Sequence, residues 1–355
     1  MMRPVADLAL SPPLALAVVL AVIGVALYLA RALGRRSRRR SRRDRGALAR
    51  SVRFFLDGRL SDRLLLRLTD RADAGTCWTV LEAGSLRLGR KEWLRLSAAL
   101  ERCRHAVDER WALESDSPWR QELAARRLGL LRSRRSWRAL RQAMGRGPEL
   151  VTIAAGLALA RYRDRGALRW LLAHPAALAR RHRSALADLF AAFRAPGLPV
   201  LAEALARGGL PRRVELAAVD ALGRGGHAPA RGLLEQRLAE ADLDLRVAAA
   251  RALGLTGDPA AAPALVSALA DAEWPVRAQS ARALGRLGAI VAVPPLAQAL
   301  TDASWWVRRH AAYALMALGE DGPAALRRIA ASSSDAYARD MAREVLDGGF
   351  GRLSA

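Results

Sequence analysis

Acidic residues and arginines recur together at a fixed spacing in the C-terminal half of the chain. A row of carboxylates could supply general acids or bases, but a catalytic carboxylate should occur once, whereas this one returns in consecutive segments. An acid in the turn before a helix, followed by an arginine in the first turn, favours a charge-assisted ladder that ties neighbouring segments together. The pairs, each six positions apart, are Glu240 and Arg246, Asp271 and Arg277, and Asp302 and Arg308.

The histidines and cysteines show no spacing that is typical of a metal or catalytic site. No histidine has a second histidine three or four residues away, and no paired His-Glu motif occurs. Cys77 and Cys103 lie far apart without a CxxC motif, which indicates two reduced, structural thiols in a cytosolic environment. The five histidines, predicted to be structural or exposed, are His105, His174, His182, His227 and His310.

Other catalytic motifs are missing from the sequence as well. There is no GxGxxG motif, no P-loop, and no Ser/His/Asp arrangement that sequence can support. The sequence therefore predicts a protein that has no cofactor, no metal site and no catalytic constellation.

Three tryptophans form the most distinctive candidate site. Trp274 and Trp305 occupy equivalent positions in consecutive segments, each at the start of a predicted helix, with Trp306 and His310 close to the second. Stacked segments would bring them to one edge, and aromatic residues are enriched at binding hot spots. This edge is therefore a candidate partner-binding surface. Two alternatives stay open: the rings pack locally over the helix starts, or they stack on nucleic-acid bases or sugars.

A 31-residue repeat underlies both patterns. A leucine and a glycine recur at this interval within Asp242–Gly319, and a fixed period of this length indicates a repeat array. Traced in both directions, with one 32-residue step, the leucine position predicts eight rungs, of which the three upstream ones have lost most of the consensus. The rungs are Leu128, Leu159, Phe190, Leu222, Leu253, Leu284, Leu315 and Leu346.

Each repeat divides into two predicted helices. In the best-defined repeat, Trp274–Leu287 forms the first helix, Gly288 ends it, and Val293–Leu300 forms the second. Prolines cluster where the second helices begin, as expected for an N-terminal turn. One helix pair cannot bury its own apolar face, whereas stacked pairs can. The predicted fold is therefore an all-α solenoid of helix pairs.

This region resembles the HEAT-like repeats associated with phycobilisome lyases, which are widespread in bacterial proteins. The resemblance is strong over Leu210–Asp347 and weaker back to about Ser117. It implies a right-handed α-solenoid, but it does not imply lyase activity, because these repeats occur in proteins with many roles. The paired His-Glu motifs of the HEAT-type deoxyhypusine hydroxylases are missing, so that activity is not expected. The matching residues are Leu269, Asp271, Val276, Arg277, Ala281, Ala283, Leu284, Gly285 and Gly288.

An apolar N-terminal segment predicts a single membrane-spanning helix. Residues 14–30 carry no charge, and 17 to 20 helical residues span about 26 to 30 Å, enough for a hydrocarbon core. Arginines follow the segment, so the positive-inside rule places the N-terminus outside and the solenoid in the cytoplasm. A cleaved signal peptide is the alternative, but the charge excess follows the apolar run instead of preceding it. The arginines that set the topology and would bind anionic lipid headgroups are Arg35, Arg36, Arg38, Arg39, Arg40, Arg42 and Arg43.

The predicted organisation follows from these features. Within the region before the repeats, Glu92–Trp111 is predicted to form one amphipathic helix. The segments in order are a short extracytoplasmic N-terminus (1–12), a transmembrane helix (13–33), an Arg-rich linker (34–46), a helical cap region (47–116), HEAT-like repeats (117–347, clearest over 210–347) and a tail (348–355).

The charge of the chain is large and uneven. A net charge of +24 suggests an anionic partner such as nucleic acid or lipid headgroups. Lys91 is the only lysine, however, and an arginine bias with abundant Ala, Gly and Leu often reflects a GC-rich genome. The repeats from Leu210 to Asp347 are neutral, with 16 arginines and 16 acids, whereas residues 31–50 carry a net +9.

The function expected from these features is that of an interaction scaffold without catalysis of its own. It would bind another protein, such as a membrane protein or membrane-bound enzyme, at the cytoplasmic face of a bacterial membrane. Two alternatives stay open. One is a nucleic-acid binder that uses the basic segment 47–209, in the manner of the HEAT-like alkylpurine DNA glycosylases; the other is a bilin lyase-like enzyme.

Overall fold

The computed structural model describes residues 42–178 and 180–348, and every regular element within them is a helix, as predicted. Two compact units are present. The first comprises residues 42–111 with 130–133, and the second comprises residues 112–129, 134–178 and 180–348. The predicted transmembrane helix and the arginines from Arg35 to Arg40 lie outside the described residues and stay predictions.

The first unit is a group of helices around a small apolar core. Phe55, Leu65 and Leu96 are almost completely buried in it. The indole Nε1 of Trp93 donates a hydrogen bond to the carbonyl oxygen of Leu130 at 2.9 Å, which fixes segment 130–133 to this core. The helices are α1 (42–56), α2 (Asp62–Arg71), α3 (Ala74–Arg87), α4 (Arg90–Leu100) and α5 (Arg104–Ala112).

Both cysteines belong to this core. Cys77 and Cys103 are free and buried, in line with structural thiols. Burial raises the pKa of the Cys103 thiol to about 11, so the nucleophilic thiolate is scarce at neutral pH.

The single helix predicted over Glu92–Trp111 is wrong, because the structure breaks it between Leu100 and Arg104. The carboxylate of Asp70, on α2, accepts a hydrogen bond from the backbone N–H of Arg104 at 2.7 Å. A different helix thus satisfies an orphan donor at the N-terminus of α5. Local periodicity carries no information about a cap supplied from elsewhere in the fold.

The second unit consists of two layers of helices that alternate along the chain. First-layer helices pack each against the next. They are α6 (Pro118–Leu128), α8 (Glu149–Arg161), α10 (Arg183–Ala192), α12 (Arg212–Arg224), α14 (Leu243–Thr256), α16 (Trp274–Leu287), α18 (Trp305–Met316) and α20 (Ala336–Leu346). The second layer holds α7 (Arg134–Arg146), α9 (Arg165–Ala173), α11 (Leu198–Arg207), α13 (Arg231–Leu238), α15 (Ala262–Ser267), α17 (Val293–Gln298) and α19 (Asp321–Ser332).

Each predicted rung lies on a different first-layer helix. Leu128 lies on α6 and Leu346 on α20, with the other rungs in order between them. The rungs from Leu128 to Leu315 are completely buried in one continuous core, and Leu346 packs against its end. The sequence period therefore corresponds to a row of side chains that holds the first layer together.

Glycine and alanine set the distance between first-layer helices. A Cβ atom at Gly254 would lie 2.6 Å from the Cα of Ala283, and one at Gly285 would lie 2.8 Å from the Cα of Ala314. Gly223 meets Ala252 in the same way, at 2.6 Å. The glycine of each Ala-Leu-Gly triplet thus contacts the alanine at the equivalent position of the next unit, while the leucine enters the core.

Helix boundaries in the clear repeats follow local chemistry. The helix predicted over Trp274–Leu287 has these bounds in the structure. Gly288 ends it in the left-handed region with φ 65°, and Gly257 ends α14 with φ 71°, a backbone conformation that glycine adopts without steric cost. The predicted second helix, Val293–Leu300, is split into α17 and a 3-10 turn over Ala299–Thr301.

In the part of the chain that the structure describes, no single helix has both the length and the apolar composition needed to cross a membrane. One pair of helices, Arg183–Ala192 and Ala195–Arg207, meets these requirements only when taken together and is bent by 104°.

The close approach at Gly254 predicts an unusual response to mutation. An alanine inside a helix is normally more stable than a glycine by about 1 kcal/mol, but Gly254→Ala would force Ala283 away. We expect Gly254→Ala to lower the free energy of unfolding by about 1 to 3 kcal/mol, measured by urea denaturation.

Gly232→Ala is the matched control, since a Cβ atom there would meet nothing within 4 Å. It should leave the free energy of unfolding unchanged or raise it. Equal effects of the two substitutions would mean that the glycine does not set the helix spacing.

Candidate binding site

The acid and arginine repeat forms a series of ion pairs between neighbouring units. Arg246 donates from Nε and Nη2 to the two carboxylate oxygens of Asp271, at 2.9 and 3.2 Å. Arg277 makes the same bidentate contact with Asp302, at 2.7 and 2.9 Å. All four side chains are less than one-fifth exposed, so water screens these pairs less than it screens surface pairs.

The carboxylate partner of each arginine differs from the acid six residues before it. Arg277 donates from Nη1 to the backbone carbonyl of Asp271 at 2.8 Å, whereas its carboxylate partner is Asp302 of the following unit. Arg246 likewise donates from Nη1 to the backbone carbonyl oxygen of Glu240 at 3.1 Å. Each arginine thus fastens the turn of its own unit and reaches into the next, a pairing that the six-residue spacing could not reveal.

The unit before Arg246 carries an acid in place of this arginine. Glu215 holds the position that Arg246 holds in the following unit, and its carboxylate accepts from Arg237 Nε at 2.7 Å. Arg237 also donates to the carbonyl of Leu205 at 2.9 Å. Glu215 is therefore paired with the second-layer helix of its own unit, whereas Arg246 and Arg277 pair with acids in the turns before the next first-layer helices.

At the C-terminal end the series loses its acid. Arg308 donates to the carbonyl of Asp302 at 2.7 Å, but its Nε is buried without a hydrogen-bond partner. The position equivalent to Asp302 in the following unit is occupied by Ser333. Arg339 repeats the geometry once more, with Nη1 2.6 Å from the Ser333 carbonyl.

The ion pair with Arg277 also favours the ionised form of Asp302. Although burial raises the pKa of Asp302, hydrogen bonds from Arg277 and from the Ser304 backbone lower it, and the net pKa lies below its ordinary value. An acid that stays ionised and is held by two donors of one arginine is a structural anchor and a poor proton donor.

The three tryptophans lie at the starts of neighbouring first-layer helices and are all strongly exposed. Trp274 and Trp305 are the first residues of α16 and α18, with 44% and 42% of their surface accessible, and Trp306 is 49% accessible. The rings of Trp305 and Trp306 meet edge to face with centroids 4.8 Å apart. We call these three residues the tryptophan edge.

His310 and Arg309 extend the tryptophan edge along α18. The His310 ring stacks on Trp306 at a centroid distance of 6.5 Å. Burial lowers the pKa of His310, and the positive charges of Arg282 and Arg309 lower it further. Arg309 lies over Trp305, with its guanidinium carbon 5.1 Å from the ring centroid. The edge is thus an aromatic surface with cations around it.

The other histidines have structural or exposed positions. His105 is buried in the first unit, where its Nε2 lies 3.1 Å from the carbonyl oxygen of Thr69. His174 is exposed and stacks on Trp170, and His182 caps α10. Within residues 42–178 and 180–348, no group of three or more His, Cys, Asp or Glu side chains could hold a metal ion.

Two arginines of α16, the helix that begins at Trp274, were not singled out from the sequence. Arg282 and Arg286 are exposed one turn apart on α16. Arg282 shares its repeat position with Arg251 and with Tyr313, so the column could have been read from the repeat period. The two arginines of the predicted lipid-binding set that the structure describes, Arg42 and Arg43, are exposed at the start of α1.

The missing acid at Ser333 predicts a stabilising substitution. Ser333 has φ −64° and ψ 137°, close to the values of −60° and 147° at Asp302. Ser333→Asp would therefore present a carboxylate to Arg308 as Asp302 presents one to Arg277. We expect the free energy of unfolding to rise by about 1 kcal/mol, measured by urea denaturation at low salt.

Ser334→Asp adds the same charge to an exposed neighbour and serves as control for the general effect of an acid before α20. A gain at Ser334 equal to that at Ser333 would exclude the proposed pairing with Arg308.

Comparisons with known proteins agree with the repeat geometry. A family model for HEAT repeats matches residues 198–275 and 262–347. No curated protein matches the sequence. Solved structures with related helical arrangements have low sequence identity and low TM-scores, so they carry no information on function.

Three such structures illustrate the likeness. Human deoxyhypusine hydroxylase in complex with glycerol is 18% identical, with 80% of this chain and 99% of that chain covered and a TM-score of 0.32. The CpcE and CpcF complex of phycocyanin lyase from Nostoc is 20% identical, with 81% and 94% covered and a TM-score of 0.28. A karyopherin bound to a SUMO protease is 16% identical, with 79% and 42% covered and a TM-score of 0.37.

The helix pairs, their regular period and the family match confirm the predicted all-α repeat fold. Residues 198–347 of this chain form a helical solenoid of HEAT repeats.

Proposed function

We propose that the protein is a scaffold that binds another protein through its HEAT-repeat unit at the cytoplasmic face of a bacterial membrane. The observation that carries this proposal is the tryptophan edge. Large aromatic side chains that stay exposed at the starts of neighbouring helices, with Trp305 and Trp306 in contact, are unfavourable in water, and such surfaces mark interaction sites. HEAT repeats commonly serve protein binding, which supports the proposal.

A scaffold without catalysis also fits the chemistry of the described residues. The acids that recur in the repeats are held in ion pairs, as Asp271 and Asp302 are by Arg246 and Arg277. The most buried histidine, His105, lies within hydrogen-bond distance of two backbone carbonyls. No described group combines a nucleophile with a base in a cleft, so binding is the activity that the geometry supports best.

The membrane part of the proposal rests on the N-terminal sequence. An uncharged stretch over residues 14–30, followed by an arginine-rich linker, would hold the repeats close to the inner leaflet. The repeats would then meet membrane proteins at a high effective concentration. A membrane protein or membrane-bound enzyme is therefore the kind of partner that we propose.

Crosslinking in native membranes tests the tryptophan edge. We expect the full-length protein to give a specific crosslinked partner, identified by mass spectrometry, and Trp274→Ala with Trp305→Ala to reduce its recovery by about tenfold or more. The matched control removes two exposed tryptophans elsewhere, Trp111 and Trp119. Recovery of abundant proteins alone, equally from all variants, would contradict the proposed function.

Membrane anchoring has its own test. After alkaline carbonate treatment of membranes, the full-length chain should stay in the pellet, because a spanning helix is held by the hydrocarbon core and not by charge. A variant that lacks residues 1–33 should move to the supernatant. Release of the full-length chain would exclude a spanning helix, while leaving the binding role of the repeats open.

A further inference from the structure

Three arginines on α16 and α18 form no ion pair with an acid among the residues that the structure describes. Arg282 and Arg286 are exposed on α16, and neither makes an ion pair or hydrogen bond with any residue that the structure describes. Arg309, on α18, lies over two aromatic rings, with its guanidinium carbon 5.1 Å from the Trp305 centroid and 5.0 Å from that of Tyr313. We call Arg282, Arg286 and Arg309 the free arginine cluster.

Earlier first-layer helices carry arginines that are neutralised. Asp220 receives hydrogen bonds from Arg183 at 2.9 Å and also from Arg251, which joins α10, α12 and α14. Arg224 pairs with Asp188 at 2.8 Å. On helices α10, α12 and α14, these arginines are therefore paired with acids of a neighbouring first-layer helix.

The free arginine cluster arises from a change of sign along one repeat column. Asp188, Asp220, Arg251 and Arg282 occupy the equivalent position of this column in four successive units. Acids at the first two positions give way to arginines at the next two. Arg251 forms an ion pair with Asp220, the residue at this position in the preceding unit. For Arg282, the residue at this position in the preceding unit is Arg251, so the column offers it no acid.

Crowded positive charge makes this surface receptive to an anion. Partial burial, together with the neighbouring charges of Arg282 and Arg251, lowers the pKa of Arg286, and Arg282 and Arg309 act likewise on His310. Such repulsion is unfavourable in the free protein, and an anionic ligand relieves it. The guanidinium fork also matches the two oxygens of a carboxylate.

We infer that the free arginine cluster and the tryptophan edge together bind an acidic segment of a partner protein. Its Asp or Glu carboxylates would pair with Arg282, Arg286 and Arg309, and its apolar side chains would cover the tryptophan rings. This inference rests on the proposed function and specifies the chemistry of the partner.

Charge distribution favours an acidic peptide over a nucleic acid. The repeats from 210 to 347 are neutral overall, with 16 arginines and 16 acids, so the free arginine cluster does not continue into a net positive surface along these repeats. An extended polyanion would run from the cluster towards Asp188 and Asp220, where its phosphates meet carboxylates. A short segment with a few carboxylates has the extent that the cluster can neutralise.

Direct binding to a defined probe tests this inference. The probe is a short fluorescein-labelled peptide that alternates Glu with Leu, titrated with the purified full-length protein at low salt while fluorescence anisotropy is recorded. Arg282→Glu with Arg286→Glu should weaken its binding by about tenfold or more. The matched control is Arg327→Glu with Arg328→Glu, two adjacent exposed arginines of the second-layer helix α19, and should bind within about threefold of the wild type.

Four outcomes decide the inference. A loss confined to Arg282→Glu with Arg286→Glu, and absent for a peptide that carries Lys in place of Glu, supports it. No binding of the Glu peptide by the wild type overturns it, as does tighter binding of a single-stranded oligonucleotide of equal charge. Equal loss in both arginine pairs also overturns it, because that points to net charge alone.

Crosslinking in native membranes separates this inference from the proposed function. If the arginine substitutions leave a specific crosslinked partner intact while the tryptophan substitutions remove it, the scaffold role stands and the acidic chemistry is wrong. If no variant and no wild-type protein gives a specific partner, the proposed function itself fails.

Discussion

Close contact between glycine and alanine on adjacent first-layer helices is the constraint on which the second unit depends. Without a Cβ atom at Gly254 or Gly285, the backbone of the next helix comes within reach of the glycine, and the leucine between the two small residues turns into the core. The bidentate ion pairs need this spacing as well, because Arg246 and Arg277 must reach an acid of the following unit. The close backbone contact and the ion pair therefore stabilise the same interfaces between neighbouring units.

Much of this architecture can be derived from the sequence because a repeat reports the same contact several times. The position of Leu284 alone is ambiguous, but its recurrence at equal intervals means that one packing solution is reused, and the rungs do lie on successive helices. Helix ends could be predicted for the same reason, since a glycine recurs at the position of Gly288, where the backbone adopts a left-handed conformation. The first unit has no period, and there the capping of α5 by Asp70 was missed.

Only part of the candidate binding surface could be predicted from the sequence, for a physical reason. Trp274 and Trp305 stand out because they violate the pattern around them. Arg282 and Arg286 do not, since arginines abound in this chain and many of those in the repeats form ion pairs. What distinguishes them is the lack of an acid in the neighbouring unit, a relation between helices that only the packed structure shows. The ion pair between Arg277 and Asp302 was hidden in the same way, because its partners belong to different units.

Repeated units face a hazard that other folds avoid, because similar surfaces can stack in the wrong order. Glu215, at the position that carries Arg246 one unit later, makes the surfaces of these two units different. If the helix that carries Glu215 docked one unit too far along, its carboxylate would face Asp271, and two buried acids would oppose each other. This exchange of charge therefore disfavours a one-unit slip of the helix that carries Glu215.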